Sequence, residues 1–283
     1  MKILIIGGTG LISRGITKHL LARKDEVVFF NRGQRKEHVP QGVRVIQGDR
    51  NDEAALTKAA AEKFDSVMDM VCFSEDQAKA AVRVFAGMTP HFLFCSTVCT
   101  YGVGYPGRFG LKITEADDLS PISGYGRGKV ACEKVFMEAN SAGRFAATIL
   151  RPSCTYGPGG NLIDNLGWDT CTWDRVEKGL PILCAGDGLG LWQACHRDDA
   201  GAAFAFAAGR ETTFGQAYNV VHEEVMTWEQ YLRRASKALG KEPKILYLPA
   251  DRIVKKDPQR FGGLQEIFRY HGAYDNTKIR SVV

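Results

Sequence analysis

Apolar residues fall into two textures along this chain. In the first half, short unbroken apolar runs alternate with stretches whose apolar positions recur three or four apart. The runs are Ile3–Ile6, Val27–Phe30, Val43–Gln47, Ser66–Met70, His91–Cys95 and Ala146–Leu150. An apolar run without polar alternation suits a strand covered on both faces, so these six predict parallel strands. Helical spacing occupies the segments between them: Leu11, Ile12, Ile16, Leu20 and Leu21, then about 53–63, 75–87 and 124–140. Strand and helix in strict alternation predict an α/β fold, a doubly wound parallel sheet of Rossmann type with helices on both faces.

After Pro152 the texture changes. Glycines cluster at Gly157–Gly160 and Gly186–Gly190, all four tryptophans fall here, and the spacing becomes irregular. Helical stretches at about 198–209 and 227–239 flank a strand near Ala217–Val221. The expected organisation is a dinucleotide-binding core over 1–155 and a smaller C-terminal substrate lobe over 156–283. Segments at about 194–222 are expected to return to the core. The stop at Ser281-Val282-Val283 reads as an abrupt end rather than a natural terminus.

With 283 residues, 45% hydrophobic and 24% charged, the composition is that of a soluble globular protein with a large core. A balance of 37 basic against 32 acidic residues gives +5 with no basic block, so nucleic acid is not the expected partner. The first strand is too short, and too soon broken by glycine, for a signal peptide or a membrane span. Eight cysteines are scattered without a CxxC pair, which fits reduced thiols in a cytoplasmic protein and no metal site.

The first strand runs directly into Gly7, Gly8 and Gly10, and a helix opens at Leu11 and Ile12. Strand, glycine turn and helix N-terminus form a pyrophosphate cradle, because backbone N–H groups and the helix dipole face an anion that can approach closely. Ser13 stands where the fingerprint ends in Gly or Ala. The second strand ends in Asn31 and Arg32, with Arg35 and Lys36 behind. A carboxylate here would accept from a ribose 2′-hydroxyl and select NAD, whereas arginine pairs with a 2′-phosphate. The expected cofactor is therefore NADP, with NAD second. By topology, Asp49 and Arg50 after strand three face the adenine. Val71, Cys72 and Phe73 after strand four cover the ribose and pyrophosphate.

Strand five leads into Ser96-Thr97-Val98-Cys99-Thr100-Tyr101, and the helix at 124–140 carries Tyr125 and Lys129. Residues four apart share a helix face, where an ammonium can lower a phenol from its usual pKa of ~10 toward a useful base. Tyr274 and Lys278 have the same spacing. Only Tyr125 follows the hydroxyl-rich end of strand five, where Thr97 can orient a substrate oxygen.

These motifs, together with Arg151-Pro152, Tyr156-Gly157-Pro158-Gly159 and His196-Arg197-Asp198-Asp199, resemble the extended short-chain dehydrogenase/reductase family. The likeness is to its NAD(P)-dependent nucleotide-sugar epimerase and dehydratase group. It implies an enzyme, an epimerase more than a reductase, acting on a secondary alcohol or ketone of a sugar that is nucleotide-activated. Tyr125 would be the acid/base, Thr97 would polarise the oxygen, and Lys129 would also bind the nicotinamide ribose. Val98-Cys99 replaces the Asp-Glu pair of the 4,6-dehydratases, so dehydration is not expected. Cys99 matches the cysteine acid/base of GDP-fucose synthases and GDP-mannose 3,5-epimerases, and Asp164 or Asp169 are the candidates for a second acid/base. Asn161 matches a substrate-contacting asparagine. Trp192 falls near an arginine that clamps the substrate diphosphate, so either Arg260 or Arg269 compensates or the substrate carries no diphosphate. Trp168, Trp173 and Trp192 are candidates for stacking on a base or sugar. Pairing of the helices at 75–87 and 124–140 would make a homodimer. The alternative is a non-catalytic or RNA-binding relative like the chloroplast stem-loop-binding proteins, whose Asn31-Arg32-Gly33 and Gly48-Asp49-Arg50 features this chain shares.

Overall fold

The computed structural model describes residues 1–102, 112–160, 162–164, 166–167 and 171–282. In chain order the elements are β1 (Lys2–Ile6), α1 (Leu11–Ala22), β2 (Glu26–Asn31), β3 (Arg44–Gln47), α2 (Glu53–Ala60), β4 (Ser66–Asp69), α3 (Glu75–Phe85), β5 (His91–Cys95), α4 (Gly124–Ser141) and β6 (Ala146–Pro152). There follow β7 (Cys154–Tyr156), α5 (Cys171–Glu177), β8 (Ile182–Ala185), β9 (Leu191–Trp192), β10 (Ala194–His196), α6 (Arg197–Ala207), β11 (Gln216–Val220), β12 (Met226–Thr227), α7 (Trp228–Ala238), β13 (Ile245–Leu248), α8 (Ala250–Lys256) and α9 (Thr277–Arg280).

Seven parallel strands form the main sheet in the order β11-β6-β5-β4-β1-β2-β3. Because side chains alternate along a strand, Leu4 and Ile6 enter one core and Ile3 and Ile5 the other. The first core holds Leu56 of α2, Ala81 of α3 and Phe136 of α4; the second holds Ile16 of α1 and Phe204 of α6. A third cluster, with Trp192, Trp228, Leu232 and Phe268, makes a separate core beyond β6. Three two-stranded ladders there, β7 with β10, β8 with β13 and β9 with β12, have no counterpart in the predicted elements. No helix among the described residues is long and apolar enough to cross a membrane.

The helix starts differ in a way that matters for binding. Asp52 caps α2 through Ala54 and Ala55, Ser74 caps α3 and Ser123 caps α4. Each such cap is worth about 1 kcal/mol. At α1 the cap position is Gly10, which offers no side chain to the first turn.

His91 on β5 is fully buried, and burial lowers its pKa from 6.5 to about 4. Its Nδ1 accepts from the Gly209 N–H at 3.0 Å, and its Nε2 meets the Thr148 hydroxyl at 2.9 Å. A proton on Nδ1 would abolish the first bond, so the folded chain holds the ring neutral. Stability from this site is fully present above pH ~6.5 and is lost as pH falls through the folded value, by about 3 kcal/mol in all. His91→Gln is expected to flatten that part of the pH dependence in urea denaturation between pH 7 and 4. An unchanged slope would assign the acid sensitivity elsewhere.

Candidate active site

Strand order reverses between β1 and β4, and the crevice at the carboxyl ends of such strands is where α/β sheets hold ligands. Two adjoining cavities occupy it, of about 640 and 400 Å3, with Gly7, Gly10, Val71 and Phe73 common to both. Gly7 has φ +86°, and a Cβ there would stand 2.6 Å from the Val71 side chain, so the turn admits no larger residue. Leu11, Ile12 and Ser13 line the larger cavity. The buried Ser13 hydroxyl donates to the Gly7 carbonyl at 2.9 Å and so braces the turn from within.

The smaller cavity is lined by Asn31, Arg32, Asp49 and Arg50. Asn31 accepts from the Gly33 N–H at 2.8 Å, while its Nδ2 is a buried donor without a partner. Arg50 bonds buried Asp69 at 2.8 Å and the Gln77 carbonyl at 2.9 Å, leaving Nε and Nη1 unpartnered. Buried donors left idle are costly, and an adenosine offers acceptors for them. Cys72 departs from its predicted place. Side chains alternate, so Val71 and Phe73 line the cavity while Cys72 turns into the core, its sulfur 3.6 Å from that of Cys132.

Tyr125, Lys129, Thr97 and Cys99 come together on the wall of the larger cavity. Helix α4 can approach because Gly126 and Gly128 separate the two functional residues. A Cβ at Gly126 would lie 2.3 Å from the Cys99 carbonyl, and one at Gly128 would lie 2.4 Å from that of Phe73. Thr97 caps the turn at Val98–Thr100 by accepting from the Cys99 N–H at 3.2 Å, and it lines the same cavity wall as Tyr125. Lys129 is buried, donates to the Cys95 carbonyl at 2.7 Å, and stands 4.5 Å over the Phe73 ring and 4.8 Å over Phe94. Its ammonium is 5.8 Å from the Tyr125 ring centre. Desolvation, first, pushes the phenol above its usual range, and the neighbouring Thr97 hydroxyl pulls the other way.

The rest of this cavity is aromatic. Trp192, Trp228, Phe268, Tyr270 and Tyr274 line it, with Ser153, Thr155 and Gln193 as polar neighbours. Ser153, Trp228 and Phe268 were not singled out by sequence reasoning. Ser153 follows β6 directly, and the carboxyl end of that strand was a signal for it. The rival Tyr274–Lys278 pair shares no helix face, because α9 begins after Tyr274, and Lys278 lies over Tyr218. Arg269 pairs with Asp251 at 2.7 Å, and neither it nor Arg260 lines either cavity. Asp164 is buried and accepts from Leu166, Gly167 and Thr172, a structural set of bonds. Trp173 donates its indole N–H to the Leu162 carbonyl. Asn161, Trp168 and Asp169 lie outside the described residues. Among those residues, no group of three His, Cys, Asp or Glu is placed to hold a metal ion.

The family model for the NAD dependent epimerase/dehydratase family matches residues 3–220. The 2'-dehydrokanamycin reductase of Streptomyces kanamyceticus is 30% identical over 252 residues, 89% of this chain and 70% of that protein. The chloroplast stem-loop binding protein of 41 kDa b from Arabidopsis thaliana is 25% identical, over 92% of this chain and 67% of its own length. A UDP-glucose 4-epimerase of Lactobacillus helveticus is 30% identical over 53% of this chain and 51% of its own length. In fold, the chain is similar to the Thermus thermophilus UDP-glucose 4-epimerase in complex with NAD, with TM-score 0.78, 23% identity and coverage of 99% and 92%.

Proposed function

Since this chain belongs to the NAD-dependent epimerase/dehydratase family, we propose that it moves hydride to and from a secondary alcohol or ketone of a sugar-like ring, with NADP(H) as cofactor and reduction as its main direction. The observation that carries the reading is the convergence of Tyr125, Thr97 and buried Lys129 on one wall beside the Gly7–Gly10 turn. A bound nicotinamide dinucleotide supplies the hydride. Gly7, Gly10 and the uncapped start of α1 suit its pyrophosphate, and Asn31, Arg32 and Arg50 suit its adenosine half. Lys129 has two ammonium protons left beyond its Cys95 bond, and these suit the nicotinamide ribose. The substrate oxygen sits between the Thr97 hydroxyl and the Tyr125 phenol. As the carbonyl carbon accepts hydride, the oxygen gains charge and takes the Tyr125 proton.

One observation favours reduction over epimerisation. The likeness to the reductase spans 89% of the chain, and that to the 4-epimerase 53%. RNA binding is a second reading, favoured by the likeness to the stem-loop binding protein. The juxtaposed Tyr125 and Thr97 support catalysis instead.

The test is to titrate the purified chain with NADPH and NADH. Tighter binding of NADPH by about tenfold, ~1.4 kcal/mol, is expected, with the difference removed by Arg32→Ala. A chain that binds neither dinucleotide would exclude the catalytic reading, and a preference that survives Arg32→Ala would exclude Arg32 as its source. An epimerase would instead retain its dinucleotide through purification.

A further inference from the structure

The inner half of the larger cavity has a chemistry of its own. Trp192 of β9 and Trp228 of α7 stack with ring centroids 4.2 Å apart and planes 26° from parallel. Phe268 stands edge-on to both, at 6.0 and 5.7 Å, and all three line the cavity. The Trp228 indole N–H donates to the Phe268 carbonyl at 3.1 Å, which locks that corner. The Trp192 indole N–H and the Ser153 hydroxyl, both on residues 7% exposed, have no partner. Gln193, next to Trp192 in the chain, donates to the His222 carbonyl and accepts from the Tyr274 N–H at 2.7 Å. Lys129 is the one charged side chain among the described lining residues, and it sits on the cofactor side.

We propose that this chamber takes an uncharged ring ketone, or the corresponding alcohol, whose apolar face packs on the aromatic corner formed by Trp192, Trp228 and Phe268. A sugar nucleotide does not fit this chemistry. The proposal rests on reading the Tyr125 site as a hydride-transfer site. Aromatic walls reward burial of a ring face. A diphosphate would bring negative charge out of water against these rings, with Lys129 the one cation among the described lining residues. Trp192 is thus the specificity-determining residue, since its ring, stacked on Trp228, makes this corner of the chamber apolar.

The test uses the full chain saturated with NADPH. The uncharged probes are 1-tetralone, 2-decalone and 4-phenylcyclohexanone, and the charged probe is UDP-glucose. Binding is followed by quenching of tryptophan fluorescence, and turnover by loss of NADPH absorbance. At least one ketone is expected to bind and be reduced, while UDP-glucose neither quenches nor competes. Trp192→Phe is expected to raise KM for that ketone about tenfold with NADPH affinity unchanged. Trp192→Arg, checked for folding by its NADPH binding, is expected to gain affinity for UDP-glucose. Should Trp192→Arg fail to fold, Trp192→Phe decides the matter alone. The proposal is overturned if UDP-glucose binds wild type more tightly than every ketone, if no ketone binds, or if Trp192→Phe leaves KM unchanged. Failure of the underlying reading is distinguishable, because wild type would then bind no NADPH at all.

Discussion

Tyr125→Phe lowers turnover by about a thousandfold and leaves dinucleotide affinity within about twofold of wild type. Tyr125 stands in the first turn of α4, lines the cavity together with Thr97, and is 48% exposed. Removing one oxygen from a half-exposed ring leaves the ring's tilted contact with Phe73, centroids 6.3 Å apart, and disturbs no core. The loss therefore falls on the proton transferred in the transition state, about 4 kcal/mol at ~1.4 kcal/mol per decade of rate. Because burial holds the phenol above its usual range, wild-type reduction is expected to be level through neutral pH. It should fall only under alkaline conditions, as the donor ionises. Steady-state rates across pH for the two proteins check both halves. Equal turnover in Tyr125→Phe would remove Tyr125 from the chemistry, and a variant that no longer binds NADPH would show a structural role instead.

The placing of Tyr125 and Lys129 on one helix, and the glycine turn after β1, were legible in the sequence because each is local. A strand that runs into glycines announces its turn, and Tyr125 and Lys129 lie within one helix. The six strands read as apolar runs because the sheet is covered on both faces. Topology assigns Cys72 to the cavity because it names a segment, whereas the strand period decides which of its side chains face out. The aromatic chamber was much less legible. Its walls come from β9, α7 and the segment around Phe268, and ladders as short as Leu191–Trp192 leave no periodic trace. The lysine's partner was also invisible, since the Cys95 carbonyl lies 34 residues away and carries no side-chain signature.

Least legible was the buried network behind Thr97, and breaking it is expected to be the costliest change for stability. Glu133 of α4 and Arg151 of β6, each 4% exposed, pair through two bonds of 2.9 and 2.6 Å. Arg151 also donates to the Tyr101 phenol at 2.6 Å, Tyr101 donates to Asn219 at 2.8 Å, and the Ser96 hydroxyl donates to Glu133. The turn that carries Thr97 is thereby held at both ends, at Ser96 and at Tyr101. Glu133→Leu strands a buried guanidinium and is expected to cost about 3–5 kcal/mol in urea denaturation. That is a large share of the 5–15 kcal/mol typical of a whole domain, so the variant is near the limit of folding. Adding Arg151→Met removes the stranded charge and should restore most of the loss, since an ion pair replaced whole by apolar groups is often neutral. Turnover should not return with it, because Ser96 lacks its acceptor, Tyr101 keeps only Asn219, and the turn that carries Thr97 is held less firmly. A double variant no more stable than the single would show that the pair's charges are not what holds β6 to α4. Full activity in a restored double variant would show that Thr97 is positioned by its own turn alone.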